Sequence, residues 1–334
     1  MAAHPRLRLL LVALAAAGVG ALFWFRGPDW GTVGRSLAGM SWAWALAAVG
    51  FNLLSAIARG LAWRAVIVQA VPPPHPRLFD VFSAFFVGIF ANGVLPGRVG
   101  EVARVGVLVR RLPPRPGLWP ALIGSVVAHR LLEIVPSVGL IVWVLVAAKV
   151  PHWGHVALLA VLGAAIAVLA IGLLVARRHE HDRPLEAGRI RVALARVRQG
   201  LGVLRTPRAA ATAIALQTLA WVLQLLAVWV AMRAFHFSLP IIAAGAVLAL
   251  MNVALILPLW PGNVGLQQAA IALPLLSYGV AYSHGFAYGI GLQAIESSVG
   301  YVFGVVFLVR EGLTLGRLRT ALAAGRVRDE GAGA

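Results

Sequence analysis

Residues 92–104 read NGVLPGRVGEVAR, directly after FDVFSAFFVGIFA, a run with the composition of a membrane-helix interior. Leu-Pro-Gly stops such a helix, because proline has no N–H to donate and glycine accepts the dihedrals of a close turn. Arg98, Glu101 and Arg104 then fall within seven residues. On a soluble protein this would be an ordinary surface segment. Beside hydrocarbon, each charge needs a partner or a wet cavity.

The rest of the chain supplies the hydrocarbon context. Its 334 residues are 60% hydrophobic and 12% charged, and the mean hydropathy is +0.87, values that place it among polytopic membrane proteins rather than soluble domains. Backbone polar groups must be paired within the segment in lipid, and the short alternating strands of a β-barrel are absent, so the spans are expected to be helices. Apolar segments lie at about 9–25, 41–58, 79–95, 118–147, 156–176, 209–231, 239–259 and 284–309, with shorter pieces at 102–109 and 266–280. The first has the length of a retained span and no small-residue cleavage site. Cysteine is absent, which removes disulfides and thiolate chemistry.

The net charge of +18 is carried in the junctions between apolar segments, the pattern of cytoplasmic loops and not of a nucleic-acid surface. Residues 177–208 contain nine arginines, and the tail after Val309 is also basic. A cytoplasmic N-terminus, basic loop and tail agree only if the chain returns to its side of entry at two places. The piece 102–109 would form about 12 Å of helix, too short to cross. The expected fold is therefore an all-α polytopic membrane protein with six full spans and two oppositely oriented re-entrant hairpins, at about 79–109 and 239–280. The expected organisation is a first membrane half (1–176), a basic cytoplasmic loop (177–208), a second half (209–309) and a cytoplasmic tail (310–334).

The two returns resemble each other. Pro96-Gly97-Arg98-Val99-Gly100 is matched by Pro261-Gly262-Asn263-Val264-Gly265, each between a longer and a shorter apolar helix. Entering from opposite sides, they form a pseudo-inverted repeat whose broken helices frame a central site. Free N–H groups at the start of the second short helix, with Arg98 beside them, suit an anion such as phosphate. Glu101 can pair with Arg98 and Arg104 at i,i+3 spacing. The same residues would also serve as a structural ion cluster at the membrane edge.

In VVAHRLLEIVP, His129 and Glu133 share a helix face, and Arg130 can reach Glu133; Glu296 lies midway along the last apolar segment. Ionised groups at that depth face a bundle interior or a cavity. Gln217, Gln224, Asn252, Gln267, Gln268 and Gln293 are polar in apolar surroundings, each able to bridge helices. Gln267 and Gln268 follow the second break and can face the same cavity as the first break; Asn263, within the second break, is counted with them. Within the basic loop, residues 189–205 alternate apolar and arginine positions as an amphipathic surface helix does. The nearby His179, Glu180, His181 and Asp182 read as a solvated turn. There is no Walker A sequence, dinucleotide fingerprint, HExxH or GxSxG.

At NGVLPGRVGEVAR, HRLLE (residues 129–133), LPLWPGNVGLQQAA (residues 257–270) and the late ESSVGY, the chain resembles the lysylphosphatidylglycerol synthase transmembrane, or flippase-like, domain family. The resemblance implies a multi-pass protein of a bacterial or archaeal inner membrane with paired re-entrant helices. It also implies movement of a lipid between leaflets without the aminoacyltransferase domain that modifies the lipid. The chain departs from the family where Gln267 or Gln268 stands for an acid and where His129 precedes the central arginine in place of one.

The expectation is an ATP-independent lipid flippase or transporter acting on a phospholipid or a polyprenyl-linked lipid, with no cofactor and no metal. Its partners would be an anionic or zwitterionic phospholipid, a separate lipid-modifying enzyme and a second copy of itself, although Gly88 and the spacing of Gly285 and Gly289 do not specify a dimer in a chain so rich in glycine. Arg98, Glu101, Arg104, His129, Arg130, Glu133, Asn263, Gln267, Gln268 and Glu296 are the expected substrate-binding residues. The alternatives are a membrane-embedded lipid-modifying enzyme, in which His129 and Glu133 transfer a proton, and a scaffold for a separate glycosyl- or aminoacyltransferase.

Overall fold

The structure, a computed structural model, describes residues 27–95, 99–177, 203, 206–256 and 263–312, with backbone alone at 173 and 175–177. The expected first span, Arg98, the amphipathic stretch apart from Val203, the His179–Asp182 group and the tail beyond Gly312 lie outside the described residues.

The described residues form ten helices: α1 (Trp30–Ala38), α2 (Trp42–Ala70), α3 (Leu78–Val94), α4 (Gly100–Arg111), α5 (Leu118–Ala147), α6 (His152–Arg177), α7 (Pro207–Ala234), α8 (Ile241–Ala254), α9 (Leu266–Leu276) and α10 (Tyr282–Arg310). No strand occurs among them. α2, α5, the described part of α6, α7 and α10 are long and apolar enough to cross a membrane; α3, α8 and α9 are shorter apolar helices. In α6 only 11% of the most apolar window is buried. An apolar helix so little covered by protein has its stripe facing lipid.

One expected boundary is corrected. The segment expected to end at Ala58 continues as α2 to Ala70, stopped by the prolines that follow Val71. Arg59 and Arg64 are therefore helix residues, not loop residues. They ended the expected span because charge was taken as a terminus, although GLAWRAVIVQA continues the apolar pattern beyond Arg59.

The repeat extends well past the Pro-Gly motif. α2 to α5 have 29, 17, 12 and 30 residues, and α7 to α10 have 28, 14, 11 and 29. The leading helices of the two units pack along their length and run antiparallel. Ser41 N–H donates to the Ala234 carbonyl (2.9 Å) at one end, Ser55 Oγ to the Ala220 carbonyl (2.8 Å) midway, and Thr206 Oγ1 lies 3.4 Å from Gln69 Oε1 at the other. α6, a single extra crossing between the units, reverses the direction in which the second one starts.

Contacts between connecting segments sort them into two ends. At one, Arg115 donates to the Pro72 carbonyl (2.7 Å), and Glu311 pairs with Arg111 (2.9 Å) and accepts from Ser83 (2.6 Å). At the other, Asp29 N–H donates to Ser283 Oγ (2.9 Å), Lys149 N–H to the Tyr278 hydroxyl (3.0 Å), and His236 Nε2 lies 3.0 Å from the Gly39 carbonyl.

Each short-helix pair packs tightly on its own unit. A Cβ on Gly100 would stand 2.0 Å from the Gly88 carbonyl, so α3 and α4 cross with only glycine between them. Gly285 and Gly289 likewise press against Ala272 and Gln268 of α9. Both glycines are thus occupied within the chain, where α9 and α10 approach as closely as small residues permit. Two apolar cores follow the same division: one joins α2, α3, α4, the start of α5 and the end of α10 around Trp63, Phe85 and Phe86. The other joins α1, α2 and α7 to α10 around Phe235, Tyr288 and Leu292.

Candidate functional site

Between the two units lies a cavity of two chambers, about 640 Å³ and 340 Å³, that share Asn92, Arg130, Glu133, Asn252 and Glu296 as walls. The larger has the size of ordinary small-ligand sites. Glu296 stands at the midpoint of α10, about 21 Å of helix from either end at ~1.5 Å per residue.

Five charged side chains from the first unit form an alternating chain along one wall. Arg104 pairs with Glu101 on α4, Glu101 with Arg130 on α5, Arg130 with Glu133 one turn on (2.7 Å), and Glu133 with Arg59 on α2. Three cations against two anions leave one positive charge. Arg104 is buried over the Trp63 ring, 4.7 Å from its centroid, and Arg59 lies 5.5 Å from the Trp221 centroid. Arg130 differs: its side chain is 52% exposed, and it lines both chambers. The two carboxylates hold guanidiniums that would otherwise be stranded, and Arg130 presents the surplus charge to the cavity.

The second unit builds the same frame without cations. Asn52 on α2 donates to the Ile295 and Glu296 carbonyls of α10 (3.2 and 3.0 Å). Gln217, which follows Asn52 by 165 residues (217 minus 52), reaches from α7 to His129 of α5: its Nε2 is 2.9 Å from His129 Nε2 and 3.5 Å from the His129 carbonyl. Arg59 pairs with Glu133; Gln224, again 165 residues later (224 minus 59), donates to Glu296 (2.7 Å). The interval is the one that separates Gly100 from Gly265.

At the two breaks a carboxamide holds the equivalent glycine N–H. Asn92 Oδ1 accepts from Gly100 (2.8 Å), reaching across the break, and Gln268 Oε1 accepts from Gly265 (2.6 Å) as a local cap. Val102 and Ala103 N–H donate to the Val99 carbonyl. Of the N–H groups expected to be free at the start of α4, those of Gly100, Val102 and Ala103 are thus engaged within the chain.

Of the expected site residues, Glu101, Arg104, His129, Arg130, Glu133 and Glu296 line one or both chambers, as do Asn263 and Gln267. His129 is buried and engaged between α2 and α7, with its Nε2 3.2 Å from the Arg59 carbonyl. Gln268 is buried in its cap and donates to Gln293. Arg98 lies outside the described residues. Arg59, Asn92, Trp221 and Tyr301 also line the cavity, and the sequence reading passed over them. Arg59 was legible from the apolar run continuing after it, and Asn92 from its place before Leu-Pro-Gly; nothing local marks Trp221 or Tyr301.

No group of three or more metal-binding side chains occurs among the described residues. A family model described as Lysylphosphatidylglycerol synthase TM region matches residues 8–304. No match is found among curated proteins or among solved structures.

Proposed function

Because the chain belongs to the lysylphosphatidylglycerol synthase transmembrane family, we propose that it moves a phospholipid or polyprenyl-linked lipid between membrane leaflets without ATP and performs no covalent step. The observation that carries this reading is Arg130, half exposed inside a cavity walled by membrane-spanning helices and braced by Glu101 and Glu133. Carrying a charged headgroup through bare hydrocarbon costs several kcal/mol or more. A polar cavity with one surplus cation on its first-unit wall and the acid Glu296 on the other lowers that cost, while the acyl chains stay in the bilayer beside α6.

In this reading Arg130 receives the phosphate, Arg104 and Arg59 hold the acids that position it, and Glu296 faces the remainder of the headgroup from the opposite unit. The topology that accompanies it has six full spans, the first at 9–25, with α3–α4 and α8–α9 as hairpins re-entering from opposite sides. The end carrying Arg111, Arg115 and Glu311 is cytoplasmic, as are both termini, and the membrane is the inner membrane of a bacterium or archaeon. A separate enzyme makes the lipid.

The test is reconstitution in phospholipid vesicles carrying labelled lipids, with accessibility read from each leaflet. Faster exchange than in empty vesicles is expected. Folded protein that exchanges no lipid would sink the reading, as would a covalently altered lipid produced by the purified protein alone.

A further inference from the structure

The charged side chains around the smaller chamber are not all held alike. Arg59, Glu101, Arg104, Arg130 and Glu133 are locked together, each acid between two arginines. Glu296, on the opposite wall, forms no ion pair among the described residues. Its carboxylate accepts from Gln224 Nε2 (2.7 Å), and Gln224 stands where the first unit has Arg59. A guanidinium only donates, so it serves a carboxylate alone. A carboxamide donates to a carboxylate through its NH2 and accepts from a carboxylic acid through its carbonyl, so Gln224 serves Glu296 in either protonation state.

The helices around Glu296 leave it to that one partner. α8 and α9 carry no titratable residue, and those of α1, α3 and α7 (Arg35, Asp80, Arg208 and Arg233) lie towards the helix ends. α2 brings Arg59 to the chamber. α10 itself brings Tyr288, which donates to the Val228 carbonyl (2.8 Å), and Tyr301 on the larger chamber. Across the chamber stand Glu101 and Arg104 of α4 and His129, Arg130 and Glu133 of α5.

Charge then decides which states of the chamber are tolerated. With His129 neutral and Glu296 ionised, three arginines face three acids and the empty chamber has no net charge. With Glu296 protonated, one positive charge remains, which matches a singly anionic headgroup at Arg130. Empty with Glu296 ionised and loaded with Glu296 protonated are therefore the neutral combinations. The other two leave a net charge among membrane-spanning helices, which is costly. We propose that Glu296 is a proton-binding site that couples lipid movement to a proton gradient, one proton crossing with each singly anionic headgroup. The half-buried carboxylate opens onto both chambers; it takes the proton from water on the side where the lipid enters and returns it on the other. Proton and anion strengthen each other's binding reciprocally, and the pair crosses without net charge.

The inference rests on the transport reading, since it assigns the driving ion of the same cavity. The test is a pH difference imposed across phosphatidylcholine vesicles that hold the protein and a trace of labelled phosphatidylglycerol. The label is expected to gather in the leaflet facing the alkaline side, beyond its distribution in empty vesicles. The ratio should approach roughly ten-fold per unit of pH difference, because one proton accompanies each lipid. At equal pH, neither a sodium gradient nor a potassium diffusion potential should move the label. Glu296→Gln, neutral at every pH, should lose the gathering. If that variant exchanges no lipid at all, proton uptake decides. Near neutral pH in weakly buffered detergent, the unmodified protein should take up about one proton per phosphatidylglycerol bound, and Glu296→Gln none. Exchange indifferent to the pH difference, gathering driven by sodium or by the potential, gathering retained by Glu296→Gln, or binding without proton uptake overturns the inference and leaves lipid transport standing. Folded protein that exchanges no lipid under any gradient overturns both.

Discussion

Gln224 stands in the second unit where Arg59 stands in the first: each lies on the leading helix and reaches a glutamate on the closing helix, Glu296 for one and Glu133 for the other. The frame is shared and the charge is not. This asymmetry predicts unequal consequences of removing the two acids. Glu133→Gln leaves Arg59 and Arg130 without their common anion and should cost about 3–5 kcal/mol. Glu296→Gln keeps a hydrogen-bonding amide beside Gln224 and should cost under about 1.5 kcal/mol. Thermal unfolding of the two variants in the same detergent makes the comparison; equal losses would mean that the two positions are not differently charged in the folded protein.

Arg59 and Glu133 should also be energetically coupled. Arg59→Gln with Glu133→Gln is expected to be less destabilising than the sum of the single changes, by about 0.5–3 kcal/mol. A double-mutant cycle measures this. Additivity would place the two groups out of contact.

Arg130→Gln should leave the fold nearly intact, because the side chain is half exposed, and should lower lipid exchange roughly ten- to hundred-fold through loss of one charge-assisted contact. The matched control is Arg208→Gln, exposed at the start of α7 and outside the cavity lining. Exchange at the unmodified rate in folded Arg130→Gln protein would remove this arginine from the transport path.

The crossing of α3 and α4 tolerates no Cβ at Gly100. Gly100→Ala should destabilise by about 3 kcal/mol, the upper range for overpacking, and should displace Asn92 from its bond to the break. Gly34→Ala, where a Cβ meets nothing within 4 Å, should be neutral or slightly stabilising because alanine favours helix. Detergent melting curves of the pair decide; equal effects would argue against the close crossing.

The chain has no cysteine, so single introduced thiols report topology directly. Pro114→Cys and Lys149→Cys, both exposed and at opposite ends of the bundle, should react with an impermeant maleimide from opposite sides, the first only after the cytoplasmic face is opened. Labelling of both from one side would refute the two-ended arrangement.

Composition and segment length alone established a helical membrane protein with two interrupted segments, because lipid imposes a requirement on every residue of a span and the requirement is local. The Pro-Gly breaks were legible for the same reason: proline and glycine act on their own backbone. So was the i,i+3 pairing of Glu101 with Arg104 and of Arg130 with Glu133, since helical spacing decides it. What the tertiary structure decided was every relation between helices. Arg59 looked like a loop residue until α2 was seen to continue past it and meet Glu133 on α5. Asn92 reached across the break to the Gly100 N–H, and Gly285 and Gly289 met α9 within the chain. The four-helix extent of the repeat emerged only when Asn52 and Gln217, and Arg59 and Gln224, were found bonding equivalent partners. A single polar residue in an apolar run says that a partner exists; which partner depends on crossing angles and rotations that no local pattern encodes.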